Sequence, residues 1–310
     1  AEAQTLLRWI HQGAPRGEGP DLLTTATVKP AEDWPLGQPD IIIRLPLPEQ
    51  IPATGVLEYR HIEVLAGNAS HGWVGGVWIK PGNRKVVHHV IARLKNDVDG
   101  KKSSEERDSF AGWAPGSTQG WFPKGTGKFL PAGAKFDMEM HYTPNGAPQT
   151  DQTEIGLYLL PERPAKRLAS VAAYNRQVEI KAGDATAETF AIYGFKQDAT
   201  LYNVAPHMHL RGRWMTFELL RPDGRRETIC SVPRYDFNWQ QKYQLATPLK
   251  IPAGAWVLVT GGYDNSPLNP ANPNPHQTVR WGDQSFEEMF TGFMGVTWDN
   301  EPLRQATAKQ

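Results

Sequence analysis

The sequence predicts an all-β protein: two antiparallel β-sandwich domains in tandem, behind a short N-terminal helix and an extended arm. Three observations predict it. Glycine (29) and proline (26) together make about 18% of the 310 residues, against a usual ~12%, and long helices tolerate neither. Apolar, β-branched and aromatic residues come in short runs bounded by turn residues. No long helical period stands out after the first residues.

The elements follow in order. Leu6, Leu7, Trp9 and Ile10 form an apolar stripe that Gly13 and Pro15 bring to an end, which predicts a helix over about the first thirteen residues. A Pro-, Gly- and Thr-rich segment from Ala14 to about Pro39 reads as an extended arm. Strand-like runs then cover Ile41–Leu45, Leu57–Val64, Trp73–Ile79, Lys85–Leu94, Lys135–Tyr142 and Glu154–Leu160. Pro161 to about Leu168 reads as a hinge. Beyond it the pattern resumes at Arg176–Ile180, Glu188–Phe195, Ala199–His209, Trp214–Leu220, Leu249–Ile251, Trp256–Tyr263 and Phe290–Thr297. Pro222-Asp223-Gly224 marks a hairpin. Pro131-Ala132-Gly133 recurs as Pro252-Ala253-Gly254 before a similar strand, a hint of two like modules. Asn265 to Pro275 is expected to be an exposed loop. The expected organisation is a helix and arm over 1–45, a first sandwich over 46–165 and a second over 166–310.

Composition narrows the function. Thirty-three basic residues balance thirty-three acidic ones, which argues against a nucleic-acid partner. Cys230 is the one cysteine, so no internal disulfide, zinc finger, iron–sulfur cluster or CxxCH haem site can form in this sequence. No apolar run approaches the ~20 residues of a membrane-spanning helix. The sequence begins at Ala1 without methionine or a signal-like run, as a mature or trimmed form would. GxSxG, Walker and HExxH motifs are absent.

What remains is histidine. Five of nine fall in three groups: His88-His89, His141, and His207-Met208-His209. Strand side chains alternate, so His207 and His209 face the same way and can reach one metal. On its own the pair reads equally well as two histidines on a solvent face. His88 and His89 point to opposite faces of a regular strand and share an ion only at a bulge or strand end. Taken singly, His141 is a half-buried strand histidine. Together the three groups suit copper, zinc, iron or nickel. The six methionines read first as core, and carboxylates such as Asp137, Glu139, Glu287 and Glu288 as surface groups.

The groups fall in the order and contexts of a known family. Val86-Val87-His88-His89-Val90, Trp113-Ala114-Pro115-Gly116 through Phe122-Pro123-Lys124-Gly125, Glu139-Met140-His141-Tyr142, His207-Met208-His209-Leu210-Arg211-Gly212, Trp281-Gly282-Asp283 and Glu287-Glu288-Met289 resemble motifs of the copper type II, ascorbate-dependent monooxygenases. That is the group of peptidylglycine α-hydroxylating and dopamine β-monooxygenases. The resemblance spans roughly residues 50 to 300. It implies two jelly-roll-like sandwiches with one copper each, facing across a solvent cleft. His88, His89 and His141 would hold an electron-storing copper. His207, His209 and Met289 would hold the oxygen-binding copper, at the catalytic centre. It further implies hydroxylation of a C–H bond with O2 and an external reductant such as ascorbate. The alternative is a non-catalytic copper-binding or electron-transfer protein of the same fold.

Departures qualify the resemblance. Ala205 and Phe293 stand where peptide-hydroxylating members carry a carboxylate-binding arginine and a tyrosine, so the organic substrate is expected to differ. The family's disulfides are missing, which suggests a bacterial-type member, periplasmic or secreted. Leu6 to Pro15 resembles the last helix of a c-type cytochrome domain, so a haem module could serve as reductant.

Overall fold

The computed structural model describes residues 2–21, 33–95, 109–117 and 119–301. The chain divides into two compact units, Ala1–Pro35 and Leu36–Gln310. In the first, a helix runs Glu2–His11. Gly13 closes it at φ 82°, and the Ala14 N–H returns to the Trp9 carbonyl at 3.0 Å. Part of the arm, residues 22–32, lies outside the described residues.

The second unit is all β, as predicted. A six-stranded sheet runs in the order Ile41–Arg44, Glu154–Leu159, Gly72–Lys80, Thr126–Leu130, Lys166–Arg167, with Gly120–Trp121 attached to Gly72–Lys80. Its four-stranded mate runs Arg60–Leu65, Lys135–Tyr142, Val87–Leu94, Ser109–Trp113. Ile43, Val74, Ile79 and Leu157 of one sheet share a core with Val90, Phe110, Phe136 and Met138 of the other.

The second sandwich repeats the plan. Ala169–Tyr174, Thr291–Trp298, Ala199–His207 and Tyr243–Ile251 form one sheet. Ala187–Gly194, Trp256–Tyr263, Gly212–Leu220 and Arg226–Val232 form the other. Leu201, Val204, Phe217, Val257, Val259 and Met294 fill the space between.

Several expectations need correction. Ile41–Arg44 pairs with Glu154–Leu157, so it belongs to the first sandwich and not to the arm. The segment read as a hinge is pinned. Lys166 and Arg167 pair in parallel with Thr126 and Gly127, and Arg167 Nε donates to Glu301 Oε1 at 2.8 Å. The second sandwich therefore starts at Ala169 and not at 166. Arg176–Ile180 shortens to Glu179–Ile180, because the Asn175 side chain accepts from the Gln177 N–H at 2.8 Å and makes a turn. The Asn265 loop is not simply exposed, since Asn265 is fully buried and hydrogen-bonded through both ends of its amide. Among the described residues, no helix is long and apolar enough to cross a membrane.

Candidate metal centres

The first cluster is made by two adjacent strands. His89 of Val87–Leu94 lies directly opposite His141 of Lys135–Tyr142. The register slips between Val87 and His89. That bulge turns His88 to the same side as His89, the condition under which two successive histidines can share one ion. One ring nitrogen from each of His88, His89 and His141 lies within 4.8 Å of the others. His88 Nδ1 and His89 Nδ1 are 3.3 Å apart.

These rings fit a metal ion. His88 Nε2 and His141 Nδ1 are buried with no hydrogen-bond partner, and an orphaned buried nitrogen costs about 1–3 kcal/mol unless something binds it. Burial, with the neighbouring histidines, pushes His88 and His141 down to about 3. The rings are therefore neutral, the form that ligates. Glu139, one of the four carboxylates read as surface groups, is buried instead. Burial opposes its ionisation, but His89 and Arg93 beside it pull its carboxyl down to about 2. Arg93 Nη1 donates to it at 2.7 Å, and its other oxygen stands 3.9 Å from His89 Nε2. That leaves Nδ1 as the inward nitrogen of His89.

The second cluster stands where the Ala199–His207 strand ends. His207 is the last strand residue and His209 follows in the turn, with ring centroids 5.3 Å apart. His207 Nδ1 bonds Gln240 Oε1 at 2.7 Å, and His209 Nδ1 bonds the Glu287 carbonyl at 3.3 Å. With Nδ1 donating in both rings, each Nε2 is left to accept a metal. Burial pushes His207 down to about 4 and His209 to about 2.

No third His, Cys, Asp or Glu joins this pair among the described residues. Met289 is tied to it through the backbone. Glu288, before it, is wholly buried and accepts the His209 N–H at 2.8 Å and the Arg211 N–H at 2.7 Å. Tyr263 donates to the Met289 carbonyl at 2.8 Å. Arg211, itself buried, donates to Asn265 Oδ1 and to the Phe286 carbonyl, each at 2.8 Å. Gly282 lies so close to the Glu287 carboxylate that any Cβ there would overlap it.

Two aromatic residues missing from the expectations join the clusters. Tyr59 packs 4.4 Å from His141 and 5.2 Å from His89 between ring centroids, and its hydroxyl donates to the Asp283 carbonyl. Phe237 stacks on His88 at 4.7 Å and meets His209 edge-on at 5.9 Å. One phenyl ring thus touches a histidine of each cluster.

No family model matches the chain, and no curated protein matches it. Solved structures that match include an allantoicase, at 11% identity over 70% of this chain and 79% of that one, with a TM-score of 0.22. The allantoicase of Saccharomyces cerevisiae matches at 10% identity over 70% and 80%, with a TM-score of 0.21. The VP2 subviral particle of infectious bursal disease virus matches at 11% identity over 89% and 75%, with a TM-score of 0.23. Likenesses this distant carry no argument about chemistry.

Proposed function

We propose that the chain is a dicopper monooxygenase that hydroxylates a C–H bond of a small organic substrate with O2 and an external reductant, ascorbate or a c-type cytochrome module. The reading rests on one observation: two separate clusters of partly to fully buried imidazoles, the first with two buried ring nitrogens that have no protein partner. His88, His89 and His141 would hold one copper; His207, His209 and Met289 would hold the other. Three imidazoles support both copper oxidation states, whereas a thioether beside two imidazoles favours Cu(I). Copper cycling between these states would supply one-electron chemistry and the activation of dioxygen.

The chain's own residues do the rest. Gln240 and the Glu287 carbonyl fix which nitrogens of His207 and His209 point inward. Glu139 does the same for His89. Glu288 holds the Met289 segment against the His-x-His turn. Ala205 and Phe293 are cross-strand neighbours next to His207 and bear no charge, so they offer a substrate an apolar surface. A bacterial, periplasmic or secreted setting suits this chemistry.

Copper loading followed by metal analysis and electron paramagnetic resonance, before and after ascorbate, tests the proposal. Two Cu(II) ions per chain that ascorbate reduces are expected. Less than one copper per chain would overturn it. Two reducible coppers without oxygen uptake over a panel of organic substrates would favour a copper-binding or electron-transfer protein of the same fold.

A further inference from the structure

We infer that the edge strand Ala187–Gly194 is a self-association surface, through which two copies of the chain join their sheets strand to strand about a two-fold axis. An edge strand turns about half of its main-chain groups away from its own sheet, where another strand can pair with them. Proteins that stay apart shield such edges with short strands, charge, proline, bulges or cover. Among the described residues, the other edges of the four main sheets are shielded in these ways. Ile41–Arg44 and Lys166–Arg167 are four and two residues long. Arg60–Leu65 presents Arg60, His61 and Glu63. Ser109–Trp113 slips in register against Val87–Leu94. Ala169–Tyr174 has Lys128 of the first sandwich against it, donating to Ser170 Oγ at 3.4 Å. Tyr243–Ile251 holds Pro248 and Lys250 and slips in register against Ala199–His207. Arg226–Val232 opens on Arg226 and Glu227 and also slips in register.

Ala187–Gly194 has none of these devices. It pairs residue for residue with Trp256–Tyr263 along all eight positions without a slip, and Glu188 is its one charge. At about 3.4 Å per residue it offers a regular edge of about 27 Å. Its solvent face carries Phe190, 60% exposed, and Ile192, 52% exposed. Ala191 points into the core, and Asn175 Nδ2 donates to Thr189 Oγ1 at 3.0 Å, so the strand is held firmly from behind. The strand is also complementary to itself. With Ala191 on the two-fold axis, an antiparallel pairing sets Phe190 opposite Ile192 of the second copy and Ile192 opposite Phe190. Aromatic and β-branched side chains directly opposite each other are favourable cross-strand pairs. The same register sets Glu188 opposite Gly194, so the two carboxylates stand at opposite ends of the seam and do not repel. Two four-stranded sheets would thereby become one of eight.

The test is sedimentation equilibrium of the full chain at micromolar concentrations, comparing wild type with Ile192→Lys, Phe190→Lys and Trp256→Lys. Circular dichroism confirms that each variant is folded. Wild type is expected at twice the 34.6 kDa of one chain. Ile192→Lys and Phe190→Lys place a charge on the edge and are expected at the mass of one chain; both positions are exposed, so either variant serves if the other fails to fold. Trp256 is 48% exposed on the neighbouring strand, one position in from the edge. Trp256→Lys is therefore expected to stay dimeric, whereas two sheets stacked face to face would come apart. A wild type at the mass of one chain overturns the inference. So does a dimer that survives a folded Ile192→Lys or Phe190→Lys variant, or one that Trp256→Lys dissociates.

Discussion

Replacing Glu288 tests how the second cluster is held. Its side chain is 0% exposed and accepts two backbone N–H groups, from His209 at 2.8 Å and Arg211 at 2.7 Å. Glu288→Ala leaves both donors buried without partners. At about 1–3 kcal/mol for each, the loss is about 4 kcal/mol. That is a large share of the ~5–15 kcal/mol that holds a domain together. At about 2–4 °C per kcal/mol for a chain of this size, the metal-free protein should melt about 10 °C lower. Glu288→Gln keeps one acceptor oxygen and should lose about half as much. Proton linkage gives a second readout. Burial pushes the Glu288 carboxyl from 4.5 up to about 8, against the pull of the two N–H groups and Arg211. The folded state thus binds this proton more tightly than the unfolded one. Its stabilising contribution is complete below about 4.5 and is lost as pH rises through about 8. Thermal melts by circular dichroism between pH 6.5 and pH 9, above the range in which the histidines change stability, should show this decline in wild type and not in Glu288→Gln. A Glu288→Ala variant melting within about 2 °C of wild type would refute the account of the buried carboxylate.

Other outcomes follow from the same geometry. His141→Leu removes an orphaned buried nitrogen, so the metal-free variant should melt slightly higher than wild type, by about 1 kcal/mol, while binding one copper fewer in metal analysis. Met289→Ala should leave the first cluster loaded, weaken the second and sharply reduce turnover; wild-type oxygen uptake would exclude a thioether ligand. Burial lowers His88 and His141 to about 3, His207 to about 4 and His209 to about 2. A histidine depressed in the folded state contributes stability above about 6.5 that is lost as pH falls through its folded value. The metal-free chain should therefore lose stability progressively from pH 6.5 towards pH 3. Glu288→Gln should show this acid limb by itself, since the opposing slope is removed.

Local sequence carried the strands that are buried on one face and the histidine groups on them. The need for a bulge at His88-His89 was legible because adjacent strand residues diverge, and the register slip lies there. Edge strands were harder. Tyr243–Ile251 has only Ile251 fully buried, and Arg226–Val232 pairs along one side alone, so neither shows much apolar alternation. The supports of the site were not legible, because each is made by a contact distant in sequence. Tyr59 reaches across 224 residues to Asp283, and Arg211 across 54 to Asn265. Glu288 reads as a surface carboxylate, and nothing local shows that two N–H groups 77 and 79 residues away enclose it. A weak signal existed for Phe237 and Gln240: an aromatic, amide-rich stretch with no strand pattern, Phe237-Asn238-Trp239-Gln240-Gln241, within thirty-odd residues of the His-x-His pair.

The two clusters are built with different stiffness, and this bears on their chemistry. His88, His89 and His141 sit on paired strands of one sheet, so their spacing is set by ladder hydrogen bonds. His207 and His209 sit at a strand end. Their orientation depends on Gln240 from one loop and on Glu287 and Glu288 from another. A site assembled from loops can adjust its geometry more readily than one built on a sheet. That suits a centre whose ligand set must accept an incoming molecule, whereas the rigid cluster suits one that only gains and loses an electron. Protons and metal compete for the nitrogens of both clusters. The folded chain disfavours the protonated rings, so metal binding meets less competition from protons at neutral pH than it would at isolated histidines. Copper should accordingly raise the melting temperature of the folded chain by mass action, and that increment should shrink as acid protonates the rings. An increment already lost by pH 5, where the folded chain still keeps His88, His141, His207 and His209 unprotonated, would mean the ion is held by groups other than these imidazoles.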